Sequence, residues 1–140
     1  MSIKKLKILV STSPSVDIRD ITNDVVKCIR QSGLADGLVH LFIPGSTAAL
    51  TTIEYEPGVV NDLRKAFERI VPDTIAYDHD RAWGDGNGHA HVRAALLGPS
   101  LTVPVENGRL QLGTWQQIVL CDFDTRPRQR TVLVHIMPTG

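Results

Sequence analysis

Three of the five histidines in this 140-residue chain fall within thirteen positions: His79, His89 and His91. His79 lies in Tyr77-Asp78-His79-Asp80, and the other two lie in Gly84-Asp85-Gly86-Asn87-Gly88-His89-Ala90-His91. Imidazole is the commonest protein ligand for a transition metal, and its near-neutral pKa also suits proton transfer. The segment is rich in glycine, so the backbone there can approach a ligand closely. A divalent ion needs neutral imidazoles converging to about 2 Å, and His89 and His91 converge if the chain is extended between them. Asp78, Asp80 and Asp85 are placed to orient the rings or to supply oxygen ligands. The alternative is a polar, hydrogen-bonded loop with no metal. His40 and His135 fall inside strand-like runs and suit core or interface positions.

Other groups of residues could bind an anion or move a proton. Gly45-Ser46-Thr47-Ala48 is a hydroxyl-rich turn after a strand, whose donors suit phosphate or carboxylate. It lacks the lysine of a P-loop, and an ordinary connecting turn remains open. Asp122 sits among apolar neighbours and therefore needs a partner if buried. It suits general acid/base chemistry or a salt bridge to a nearby arginine. Arg126, Arg128 and Arg130 alternate, which places them on one side of an extended chain. They form either guanidinium forks for an anion or an exposed basic rim.

The elements that must position these groups follow from periodicity. Strands are predicted over residues 5–11, 37–43, 47–53, 100–105, 109–112, 114–123 and 129–137, with a hairpin turn at Asn107-Gly108. Apolar residues at helical spacing predict helices over 19–32 and 59–70, and a short one over 91–97. A loop carries the histidines. Along 114–123, Ile118, Leu120 and Asp122 share one face, and Val119, Cys121 and Phe123 the other. The pattern predicts an α+β fold: one domain over residues 1–140, with mostly antiparallel packed sheets and two to three helices. A hydrophobic fraction of 42% suits a globular core. Fifteen basic and fifteen acidic residues cancel, which argues against broad binding to nucleic acid or an anionic membrane. Cys28 and Cys121 lie in apolar segments and suit buried thiols. There is no signal peptide pattern and no spanning run, so the cytoplasm is expected.

Two long blocks carry a resemblance. They are Gly88-His89-Ala90-His91-Val92-Arg93-Ala94-Ala95-Leu96-Leu97-Gly98-Pro99-Ser100 and Gly108-Arg109-Leu110-Gln111-Leu112-Gly113-Thr114-Trp115-Gln116-Gln117-Ile118. On these blocks the chain resembles the YjbQ-like family, often labelled secondary thiamine-phosphate synthase. The resemblance implies a trimer with a cleft near the subunit boundary and a histidine-bound divalent metal, zinc, in many members. It also implies a capacity to join a hydroxymethylpyrimidine diphosphate to a thiazole phosphate. Many members carry a third ligand histidine where this chain has Gly45, beside the counterparts of His79 and His91. The expectation for this chain is therefore a centre of His79, His89 and His91, with His89 replacing the missing ligand. His79 and Asp122 are the candidate catalytic residues. Ser46, Thr47, Arg128 and Arg130 are the candidates for holding a small anionic or phosphorylated ligand. A non-catalytic metal- or metabolite-binding trimer and a metal-assisted hydrolase are the alternatives.

Overall fold

A computed structural model describes residues 2–14 and 16–139. Met1 and Gly140, the ends of the predicted domain, lie outside the described residues. The elements run β1 (Lys4–Thr12), β2 (Asp17–Asp20), α1 (Thr22–Ser32), β3 (Gly37–Phe42), β4 (Ala48–Glu54), α2 (Pro57–Ile70), α3 (Asp78–Trp83), α4 (Gly88–Leu97), β5 (Ser100–Glu106), β6 (Arg109–Leu110), β7 (Gln116–Asp122) and β8 (Arg128–Pro138). The strands form two antiparallel sheets, one in the order β1-β8-β3-β5-β6 and the other β2-β7-β4. The fold is α+β, with one helix more than the sequence pattern indicates.

Two apolar clusters arrange the sheets in layers. The first fills the space between the sheets and includes Val39, Leu41, Val132 and Val134 of the larger sheet. Leu50, Ile118 and Leu120 of the smaller sheet meet them, with Val25 and Ile29 of α1. The second lies on the far face of the smaller sheet, where Ala49, Val119, Cys121 and Phe123 meet Phe67 of α2 and Ala90 and Ala94 of α4. The smaller sheet is therefore covered on both faces. This explains why β7 is buried continuously from Ile118 to Asp122 although its side chains alternate. Cys28 and Cys121 are both buried free thiols, and burial pushes the Cys121 thiol up to about 12. The larger sheet's outer face leaves Leu9, Leu38 and Phe42 exposed. Among the described residues, no helix is long and apolar enough to cross a membrane.

Three boundaries differ from the periodic pattern for local reasons. The helix predicted from residue 19 begins at Thr22, because the Asp20 side chain accepts from the Thr22 N–H at 2.9 Å. Residues 17–20 pair with β7 instead. The last predicted strand but one begins at Gln116, because Gln116 folds back on Gly113 through two hydrogen bonds. The largest change is in the histidine segment, which contains α3 and the first turn of α4.

At one end of the sheets, a polar network joins the two layers. Arg130 of β8 donates from Nε and Nη2 to both carboxylate oxygens of Asp122 on β7, at 2.7 and 2.9 Å. Thr12 of β1 donates to the same carboxylate at 2.6 Å. The Asp122 side chain is 1% exposed and that of Arg130 10%. Removing one member of such a buried pair leaves an uncompensated charge, which costs about 3–5 kcal/mol. Arg130→Met is therefore expected to lower unfolding stability by that amount. Adding Asp122→Leu should recover most of the loss, as measured by denaturant titration of the two variants.

Candidate metal centre

The centre is assembled at the junction of α3 and α4. The chain enters α4 against Tyr77: a Cβ on Gly88 would lie 2.5 Å from the Tyr77 Cβ, so only glycine permits this approach. Asp80 of α3 then accepts from the Gly88 N–H at 2.9 Å, binding the start of α4 to α3. On the other side, the Asn87 side chain accepts from the Thr125 N–H at 3.1 Å, fixing α4 to the turn between β7 and β8. These contacts bring the His79 and His91 rings to a centroid distance of 4.4 Å, tilted by 46°.

Asp85 completes the group. One ligand atom from each of His79, Asp85 and His91 lies within 4.8 Å of the others. The Asp85 carboxylate is 3.3 Å from His79 Nδ1, yet the geometry makes no hydrogen bond, and Nδ1 is a buried polar atom without a hydrogen-bond partner. Buried polar atoms are nearly always satisfied, so an orphaned imidazole nitrogen beside a carboxylate and a second imidazole has the chemistry of a ligand nitrogen. Two imidazoles and a carboxylate match the three-ligand donor sets of catalytic zinc sites, which leave a further position open. The residues present fit a divalent ion.

His89 is not part of this group, which corrects the expected ligand set. Residues 88–97 are helical, and two positions along a helix turn about 200°. His91 therefore faces α3, while His89 faces the opposite side of α4. His89 is 7% exposed and lines a cavity with Arg93 and Phe123. Burial, and secondly the Arg93 charge, holds its imidazole below the ordinary pKa, so it favours the neutral form. Asp85 stands where His89 was expected. The signal that could have found it is the Asp-Gly-Asn-Gly turn, which doubles the chain back between two helices.

The remaining candidates are brought near one another, but largely paired. Thr47 is buried: it donates to Asp124 at 2.9 Å and accepts from Arg130 at 2.7 Å. Arg128 reaches Asp124 at 3.1 Å. Asp122 accepts from Thr12, Arg130 and the Asp124 N–H. It takes the salt-bridge role and not that of a free general base. Arg128 and Arg130 form ion pairs, not an open anion fork, and Arg126 is exposed, with its backbone N–H donating to Asp124. Ser46 stays exposed. It borders a cavity of about 230 Å³ with Gly45, Ala48, His91 and Ala94. Gly45 has φ 111°, and a Cβ there would lie 3.0 Å from Arg130 Nη1. A side chain at this position is therefore strained by the backbone and requires the end of Arg130 to shift by a few tenths of an ångström.

A model of the family described as UPF0047 protein YjbQ-like matches residues 6–139. The chain belongs to the YjbQ-like UPF0047 family. It is 43% identical over 129 residues to a UPF0047 protein of Archaeoglobus fulgidus, covering 92% of this chain and 98% of the relative. To the UPF0047 protein YugU of Bacillus subtilis it is 36% identical over 129 residues, covering 91% and 95%. Among solved structures, a YjbQ/UPF0047 family protein of Clostridium acetobutylicum has a TM-score of 0.86 at 38% identity, covering 94% and 99%. A hypothetical protein from Aeropyrum pernix has a TM-score of 0.90 at 30% identity, covering 97% and 99%. The YjbQ-like fold thus holds in this chain with glycine at position 45.

The acidic end of the network also sets a pH limit. Burial alone would raise the Asp124 pKa, but hydrogen bonds from the Arg126 N–H, Thr47, Arg128 and Asn87 outweigh it and lower the value. The unfolded carboxyl titrates near about 3.9, so below that pH the unfolded chain takes up the proton more readily than the folded one. This contribution is present above about pH 4 and is lost as pH falls through the lower folded value. Urea unfolding between pH 6 and 2 should show that acid limb. Asp124→Asn should be less stable at neutral pH and depend less on pH below about 4.

Proposed function

We propose that His79, Asp85 and His91 hold a divalent ion, zinc by donor type, which acts on a phosphorylated small molecule bound beside His91. The observation that carries this reading is the convergence of ligand atoms from His79, Asp85 and His91, together with an orphaned His79 Nδ1 3.3 Å from the Asp85 carboxylate. When bound, such an ion supplies Lewis-acid charge to an anionic oxygen. The cavity bordered by Gly45, Ser46, Ala48, His91 and Ala94 offers an apolar floor for a ring. The exposed Ser46 hydroxyl offers a donor for a phosphate at its edge. The substrate class follows the family resemblance: a hydroxymethylpyrimidine diphosphate and a thiazole phosphate. In that transfer the thiazole nitrogen forms a bond to the pyrimidine methylene carbon. The carbon–oxygen bond breaks, and its electron pair leaves with pyrophosphate. No protein nucleophile is required, which accords with the absence of a free carboxylate role for Asp122. Arg130 and Arg128 support the turn under the ligand through Thr47 and Asp124.

The test is formation of thiamine phosphate and pyrophosphate by the purified protein with each of several divalent metals. Metal-dependent product is expected, with His91→Ala reducing turnover at least tenfold, on the order of the loss seen when a metal site is disturbed. Absence of product with every metal would contradict the transferase reading. A second reading, a metal- and metabolite-binding protein without catalysis, is favoured by the full pairing of Asp122 and Arg130. Saturable ligand binding without turnover would select it.

Assembly as a homotrimer is part of the same proposal. Its support is the outer face of the larger sheet, where Leu9 is 74%, Phe42 39% and Leu38 38% exposed. Phe42 pairs with Leu133 and Leu38 with Met137 across β3 and β8, so the apolar side chains are neighbours. The His40–His135 pair lies between these two apolar pairs, and Leu9 lies opposite Thr131 on the same face. A partly apolar face of this kind suits contact with another copy of the chain. Light scattering should report three chain masses of 15.4 kDa, and Leu9→Asp with Phe42→Asp should shift it to one. A stable wild-type monomer would contradict the proposal.

A further inference from the structure

The side of α4 that faces away from the metal centre borders a cavity of about 500 Å³. Its lining includes His89, Arg93, Arg64, Glu68, Asp73 and Phe123. Arg93 is only 4% exposed. Its Nε donates to the Val71 carbonyl at 2.9 Å, and its guanidinium carbon lies 5.9 Å from the Phe67 ring centroid. Arg64 is likewise held by a backbone carbonyl, that of Val16, at 2.8 Å. Among the described residues, neither arginine has a carboxylate oxygen within 4.0 Å.

Other arginines without a carboxylate partner among the described residues, Arg30, Arg69, Arg109 and Arg126, are exposed to water, whereas Arg64 is half-buried and Arg93 buried. Arg19, Arg81, Arg128 and Arg130 each lie against an aspartate. In the α4 cavity two arginines and two carboxylates border the same space without closing on one another. A nearly buried guanidinium held only by a carbonyl favours an incoming oxyanion, because charge-assisted bonds are strong where water is excluded. Glu68 and Asp73 are exposed, and so stand toward solvent. Carboxylates there repel a multiply charged phosphate and attract a cationic group. Phe123 adds an apolar wall.

We infer that this cavity is a second ligand site, separate from the metal centre, which takes a small amino carboxylate with an apolar side chain. The carboxylate meets Arg93 and Arg64, the ammonium meets Glu68 and Asp73, and the apolar body lies along Phe123. The inference does not depend on the metal-centre reading, since it uses none of that centre's ligands.

Calorimetry on the full chain tests it with L-phenylalanine, 3-phenylpropanoate, 2-phenylethylamine and inorganic phosphate. Phenylalanine should bind saturably and at least about tenfold more tightly than either compound lacking one charge. Arg64→Gln and Arg93→Gln should each weaken phenylalanine about tenfold or more. Arg64 is half-buried, so its variant keeps the test informative if Arg93→Gln does not fold. Asp85→Asn should leave phenylalanine affinity within about twofold, since additivity holds for separate sites. The inference is overturned if phenylalanine does not bind, if 3-phenylpropanoate binds as tightly, or if phosphate displaces it. Loss of binding in Asp85→Asn would also overturn it, by making the cavity part of the metal centre.

Discussion

The buried pair between Asp122 and Arg130 is the constraint on which the site depends. It joins β7 of one sheet to β8 of the other, with Thr12 and Thr47 closing the remaining hydrogen bonds. A carboxylate this deeply buried is tolerable only when its partner and donors are all in place. Their arrangement fixes the turn from residue 123 to residue 127. The Thr125 N–H in that turn holds Asn87, and Asn87 opens α4. Asp80 holds the first residue of α4 from the other side. The meeting of His79 and His91 is thus the end of a chain of contacts that begins between the sheets.

Helix α4 then separates two chemistries by geometry alone. His91 and His89 are neighbours in sequence, but they stand on opposite sides of the helix. One contributes to an open ligand group with Asp85. The other is buried beside Arg93, and burial and that positive charge both favour the neutral imidazole. The same sequence in an extended conformation would have put both rings on one side. Secondary structure therefore decides which histidine is a ligand candidate, and residue type alone does not.

Much of the scaffold is legible in the sequence because its cause is local. Alternation in 114–123 marks both faces of β7, and the structure puts Ile118 and Leu120 in one cluster and Val119 and Cys121 in the other. The apolar stripe at 59–70 marks α2, which begins two residues earlier at Pro57, where the Glu56 carboxylate accepts from the N–H groups of Gly58 and Val59. The ligand set is legible only in part. His79 and His91 stand out by type, but Asp85 becomes a partner through the turn between α3 and α4, which no periodicity records. Helix α3 has six residues, too few to show an amphipathic stripe. The arginines at 128 and 130 alternate as an anion fork would. Their partners are close in sequence, Asp124 four residues before Arg128 and Asp122 eight before Arg130, and a salt bridge to Asp122 is one of the readings the sequence offers. The turn at 123–127, which periodicity does not record, decides between it and the fork.

The most direct test of the centre is zinc binding to the metal-free protein, measured by calorimetry for the parent, Asp85→Asn and His89→Gln. One ion per chain is predicted for the parent and for His89→Gln, with affinity unchanged within about threefold. Asp85→Asn should weaken it by at least about tenfold, the scale expected when a carboxylate of a metal site is neutralised. Retained affinity in Asp85→Asn together with its loss in His89→Gln would contradict the account.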